Sequence, residues 1–91
     1  LIYTVKPTTR FRKDLKQIEK RGYDLDLLTS VVKTLAKGEV LDTKYNDHPL
    51  NGELRKCREC HITPDWLLIY EKADDTLILY LTRTGTHSDL F

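Results

Sequence analysis

Trp66-Leu67-Leu68-Ile69-Tyr70, followed by Glu71, decides how this chain folds. The run is apolar at both parities, over a length that suits a strand better than a helix. A strand of that kind needs cover on both sides, which predicts the middle of a sheet. Its neighbours read the same way. Leu54 to Ile62 precedes it across the turn Thr63-Pro64-Asp65, and Thr76 to Thr82 follows across Lys72 to Asp75. Both connections are short, so the three strands are expected to form an antiparallel meander.

Working toward the amino terminus, Leu1 to Lys6 alternates in a pattern that suits a first strand. Pro7-Thr8-Thr9 stops it and offers hydroxyl caps for a helix. Phe11, Leu15 and Ile18 then recur on one helical face, and Gly22 ends the run. Asp24 caps a second helix whose stripe is Leu28, Val31, Val32 and Leu35, closed by Gly38. Residues 39 to 51 are expected to be irregular, with turn signals at Asp47-His48-Pro49 and Asn51-Gly52. The order β-α-α-β-β-β over residues 1–91 predicts one α+β domain, a helical hairpin packed on a small, mostly antiparallel sheet.

Ninety-one residues lie near the lower end of what one hydrophobic core can stabilise. With 40% apolar and 32% charged residues, the composition is that of an ordinary globular protein and not a disordered one. A net charge of +1 argues neither for nor against nucleic acid, but its distribution is uneven. Seven Lys and Arg residues within positions 1 to 22 face only Asp14 and Glu19. Lys13, Lys16 and Lys20 in that stretch could meet phosphates or an acidic partner, or could simply solvate a helix face. No apolar run approaches the roughly 20 residues of a membrane span. Two cysteines and no recognisable secretory leader make a reducing cytoplasm the expected compartment.

Chemistry-bearing residues gather in two places. On the strand from Leu54 to Ile62, period-2 alternation puts Arg55, Cys57, Glu59 and His61 on one face. A guanidinium, a carboxylate and an imidazole so placed could converge on one bound group, although open antiparallel faces are often merely polar. Arg58 falls on the other parity and is expected to serve an internal hydrogen bond. Past the last strand, Arg83, Gly85, His87 and Phe91 supply a cation, a hinge, an imidazole and a ring; the plainer reading is a solvated tail. His48, His61 and His87 lie in three segments without metal-ligand spacing, so neither a metal nor another cofactor is expected. Cys57-Arg58-Glu59-Cys60-His61 spells a haem-attachment string, but the chain has no methionine for an axial ligand, and strand parity sends the two thiols to opposite faces. Neither a nucleophile elbow nor a glycine-rich phosphate loop is present. What remains is acid/base chemistry with basic residues to hold an anion. Cleavage of RNA through its own 2′-hydroxyl needs that set of groups.

Three stretches carry a family pattern: Tyr45 to Gly52, Arg58 to Tyr70, and Arg83-Thr84-Gly85-Thr86-His87 through Leu90-Phe91. Together they resemble the YafQ branch of the RelE/ParE-type toxins. The resemblance implies a compact RelE-like fold and the toxin of a bacterial type II toxin–antitoxin pair. It further implies an mRNA interferase, a metal-independent endoribonuclease that cuts messenger RNA in association with the ribosome. By the same resemblance His87 falls on the general acid, and His48, His61 and Asp65 on other active-site positions. Arg83 falls on a phosphate ligand and Phe91 on a base-stacking ring. Glu59 stands where the branch more often has Asp, which keeps the charge but moves it by one methylene. The implied partners are a cognate antitoxin with an acidic segment, messenger RNA and the ribosome, with the toxin–antitoxin complex able to bind operator DNA. Which imidazole acts as base stays open. Two rival readings remain, a ParE-like toxin that binds a protein target such as gyrase, and a plain interaction module working through the first helix. ParE-like members generally lack the three histidines.

Overall fold

A computed structural model describes residues 2–91. Strand β1 (Thr4–Pro7) leads into helices α1 (Thr9–Lys20) and α2 (Leu25–Ala36). A short β2 (His48–Pro49) precedes β3 (Arg58–Thr63), β4 (Trp66–Ala73) and β5 (Ile78–Gly85), and a last turn of helix, α3 (His87–Leu90), ends the chain. The five strands order as β1-β5-β4-β3-β2. The β3-β4-β5 meander is antiparallel, whereas β1 joins β5 in parallel after the helical crossover, which makes the sheet mixed. The first strand, expected from Leu1, begins only at Thr4, and Leu1 lies outside the described residues. Among the described residues no helix is long and apolar enough to cross a membrane.

Both long helices start where the sequence offers a cap. The Thr8 hydroxyl accepts from the Phe11 amide at 3.1 Å, and the Asp24 carboxylate accepts from the Asp26 amide at 3.0 Å. Gly22 and Gly38 take the left-handed conformation just beyond the helix ends. Phe11 and Ile18 of α1, with Leu28, Val31 and Leu35 of α2, pack on Cys60, Trp66, Leu68, Tyr70 and Leu79 of the sheet. Trp66 anchors this layer. Its indole donates to the Thr84 hydroxyl at 2.8 Å, which in turn donates to the Leu67 carbonyl at 2.8 Å, and Tyr23 meets its ring edge-on. Burial of one such ring stabilises the fold by about 1.5–3 kcal/mol.

The last strand, expected over Thr76 to Thr82, runs as β5 to Gly85 and so contains Arg83, and two further elements depart from expectation. The strand expected from Leu54 starts at Arg58, because Gly52 at φ +67° opens a tight 3-10 turn through Leu54. Strand β2 lies inside the stretch expected to be irregular; its two residues, one a proline, are too short for any periodicity to show. A bulge at Thr82 in β5 lets Tyr70 pair with Leu81 while Ile69 pairs with Arg83.

Candidate active site

Cross-strand register builds the site. His48, Glu59, Ile69 and Arg83 stand side by side across β2, β3, β4 and β5, and His61, Leu67 and Gly85 form the next row. These rows lie on the face turned away from the two long helices. The face is not the open polar surface the alternation suggested, because Leu67 and Ile69 are fully buried and Glu59 is only 4% exposed.

Glu59 sits between two imidazoles. Its Oε2 lies 3.1 Å from His48 Nε2 and 3.8 Å from His61 Nε2, while its buried Oε1 has no hydrogen-bond partner among the described residues. A buried carboxylate without charge-assisted bonds is costly, so the two rings are what make Glu59 tolerable there. The opposite nitrogen of His48, Nδ1, is 2.7 Å from the Asn46 carbonyl. A carbonyl oxygen only accepts, so Nδ1 carries a hydrogen. One further proton must then sit between His48 Nε2 and Glu59, on one or the other. Both nitrogens of His48 are thereby engaged, whereas among the described residues no hydrogen bond is made by Nδ1 of His61.

His48 is fixed from below. Asn46 adopts φ +47°, a left-handed conformation that asparagine accepts better than most residues. The next residue, Asp47, receives the Tyr70 hydroxyl at 2.7 Å and Arg58 Nε at 3.2 Å. Burial, then the bond to Asp47, pushes the Tyr70 phenol well above its ordinary range, so it remains a donor. This Tyr70–Asp47–Arg58 cluster gives Arg58 the internal role expected of it. The cluster itself was not foreseen, because Tyr70 reads in sequence as one more apolar residue of the central strand.

From the other side comes the chain end. Gly85 turns β5 into α3, which places the His87 ring 6.1 Å from that of His61, while His48 lies 6.2 Å on the far side of His61. Phe91 extends the series, 5.9 Å from His87 and 64% exposed. The three histidines, distant in sequence, thus gather along one line of rings. Asp65 joins His87, Tyr23 and Thr86 in lining a cleft of about 350 Å³ and makes no ion pair with His61. A larger groove of about 570 Å³ on the other flank of His61 is lined by Leu27, Lys44, Tyr45, Asn46 and Pro64. Lys44, Tyr45 and Leu27 gave no sign of this in the sequence, because the groove forms only when α2 and the 3-10 turn Thr43–Tyr45 meet the edge of β3.

The sequence matches the family model described as "Bacterial toxin of type II toxin-antitoxin system, YafQ" over residues 3–91. The chain belongs to the YafQ toxin family. A curated relative, the mRNA interferase toxin YafQ of Escherichia coli K12, is 39% identical over 83 residues, covering 90% of this chain and 88% of the relative. A metal-bound toxin from Helicobacter pylori superposes with a TM-score of 0.92 at 47% identity, covering 98% of this chain and 99% of that one. The E. coli DinJ-YafQ complex gives a TM-score of 0.89 at 36% identity, covering 98% of each chain. These neighbours agree with the α+β, RelE-like architecture seen here.

Within this YafQ-family scaffold one expected site residue stands elsewhere and a second is partly engaged. Arg55 lies in the turn before β3, where its Nη1 donates to the Gly52 carbonyl at 3.4 Å, in a cleft with Glu53, Lys56 and Glu71 and none of the histidines. The alternation that placed it beside Glu59 was counted through residues that do not form a strand. Arg83 starts in the Glu59 row, but its guanidinium turns to α1 and grips Asp14 through Nε at 2.6 Å and Nη2 at 3.2 Å. Its Nη1 makes no hydrogen bond among the described residues, so the end-on edge of the guanidinium stays open, while β5 runs beyond β1 and its free edge meets α1. Lys13, Lys16 and Lys20 are exposed on α1 and, among the described residues, form no ion pair. Cys57 and Cys60 are free thiols, and burial pushes Cys60 up to about 12. Among the described residues no group of three or more His, Cys, Asp or Glu side chains is arranged to hold a metal ion. His48 in particular already spends both nitrogens on Asn46 and Glu59.

Proposed function

We propose that this chain is an mRNA interferase, the endoribonuclease toxin of a type II toxin–antitoxin pair, cutting messenger RNA without help from a metal. The run of neighbouring rings His48, His61 and His87, with buried Glu59 between the first two, carries this reading. The curated E. coli relative, named an mRNA interferase toxin, supports it.

RNA brings its own nucleophile, so the protein has to position, take one proton and give another. Glu59 draws the Nε2–H of His61 toward its carboxylate, which leaves the Nδ1 lone pair of His61 free as base. The present 3.8 Å separation is of the kind that tightens when substrate arrives. The 2′-hydroxyl gives its proton to His61 as the O2′–P bond forms. The P–O5′ bond then breaks, and His87 protonates the departing oxygen. The products are a 2′,3′-cyclic phosphate and a 5′-hydroxyl. Arg83, whose Nη1 edge stays open, supplies positive charge against the phosphorane, and His48 holds in place the Glu59 carboxylate that steers His61. Phe91 offers an exposed face on which a base can stack, and Asp65 lines the cleft beside His87 as an acidic member of the site.

The partners proposed are a cognate antitoxin, in keeping with the DinJ-YafQ complex, together with messenger RNA and the ribosome in the bacterial cytoplasm. The unpaired row Lys13, Lys16 and Lys20 suits phosphate contacts or an acidic antitoxin segment. Operator DNA is assigned to the toxin–antitoxin complex and not to the toxin alone. The test is to induce wild type and His87→Ala in bacteria and map the 5′ ends of one message. Wild type should leave new 5′-hydroxyl ends, and the variant should lose about 10²–10⁴-fold of them. Intact messages under the wild type would overturn the reading.

A further inference from the structure

We propose that Arg21 is a positioning residue for the reaction, a clamp at the C-cap of α1 that holds α3 so that His87 faces His61 and Phe91 faces His87. The inference rests on the nuclease reading above, but its structural half can be tested separately.

Four residues are too few to hold a helix on their own, because nucleation fixes several residues for each bond gained. A segment this short frays unless something ties it down. Here Asp89 does the tying. Its Oδ2 accepts from the Thr86 amide at 2.9 Å, and its own amide reaches the Thr86 hydroxyl at 3.3 Å, closing a capping box. The same carboxylate takes both arms of Arg21, Nη1 to Oδ2 at 2.7 Å and Nη2 to Oδ1 at 3.0 Å. Parallel bonds of this kind fix direction as well as distance, unlike most surface ion pairs.

Each end of the clamp is anchored. Two turns earlier on α1, Asp14 binds the Arg83 guanidinium and the Thr84 amide, so the helix is bolted to β5 just before the chain turns. Gly85 sits at φ +153°, and a Cβ there would lie 3.0 Å from both Cβ and Oδ2 of Asp89. Glycine therefore lets α3 close down on the strand end. Between Gly85 and Asp89 stands His87, and the Phe91 amide donates to the His87 carbonyl at 2.8 Å. One guanidinium thus sets where both functional rings lie.

The experiment compares the full chain as wild type, Arg21→Ala, Arg21→Lys and Asp89→Asn, with Lys33→Ala on α2 as a charge control. Two readouts are taken, 15N order parameters for residues 86–91 and steady-state cleavage of a short RNA. Arg21→Ala should drop the order parameters there from about 0.85 to below about 0.6, leaving the sheet amides unchanged. Its kcat should fall about tenfold or more, with KM within about twofold, because misplacement costs the chemical step more than binding. Millimolar guanidinium should restore part of that kcat in Arg21→Ala alone, and Arg21→Lys should fall between. Asp89→Asn, which keeps the shape but loses the charge, should loosen the same six residues. An unchanged α3 in both variants, or a kcat equal to wild type, would overturn the proposal, as would global unfolding of both. If the wild type cuts no RNA, the nuclease reading fails, and the relaxation data still decide whether Arg21 holds the chain end.

Discussion

The two faces of β4 differ in how completely their chemistry is satisfied. Toward the helices, Trp66, Leu68 and Tyr70 are buried and every polar atom has a partner: the indole finds Thr84 and the phenol finds Asp47. Toward the histidines, Leu67 and Ile69 are just as buried, yet beside them lies a carboxylate with one orphaned oxygen and a loop held in a left-handed conformation. The same strand therefore carries a stabilising face and a strained one. Stability comes from the first and is spent at the second, the usual relation between a scaffold and a reactive site.

Changes on either face should separate these roles. The largest effect is expected on the helix side. Trp66→Ala should cost about 3–5 kcal/mol and leave Thr84 without its indole donor, which thermal or urea unfolding would register. A stability near that of wild type would mean the packed face is not what holds the fold. On the other side, Glu59→Gln should lower kcat on the order of a hundredfold while leaving stability equal or higher, since a buried carboxylate is costly. A severe stability loss with intact cleavage would invert the comparison.

Tyr70→Phe bridges the two faces. It removes the hydroxyl that holds Asp47, and should cost about 1–2 kcal/mol and loosen His48, read as a smaller drop in kcat. Smaller still is the acid response of the chain end. The Arg21 fork, then the Thr86 amide, hold the Asp89 carboxyl well below its usual range. A depressed folded-state value gives stability that is present above the unfolded value of about 3.9 and lost as pH falls through the folded one. Residues 86–91 should therefore stay docked at pH 5 and loosen only in strong acid, as amide relaxation across pH would show. Cys60 should resist alkylation at pH 8 in the folded chain, because its thiol is sealed and pushed up to about 12.

Much of this was legible in the residues. The apolar run from Trp66 to Tyr70 marked the central strand, and Thr8 and Asp24 marked the helix starts, because those signals are local. The histidines could be nominated from chain position and family resemblance, but their convergence could not be read from spacing. It depends on β2, two residues long, and on the turn at Gly85. Arg55 stands away from the site because the 3-10 turn through Leu54 breaks the strand alternation before β3 begins. Arg83 and Arg21 looked like free cations because their partners, Asp14 and Asp89, lie about seventy residues away in sequence. Ion pairs of that separation leave no periodic trace.

The most direct test of the central claim uses RNA lacking one hydroxyl. A short substrate with a single 2′-deoxy nucleotide at the mapped cleavage position is offered beside its all-ribose counterpart, and 5′ ends are read. The account predicts that the ribose strand is cut to a 2′,3′-cyclic phosphate and a 5′-hydroxyl while the deoxy position stays whole. Cleavage at the deoxy position would contradict it, since water or another nucleophile would then be doing what the neighbouring hydroxyl is assigned here.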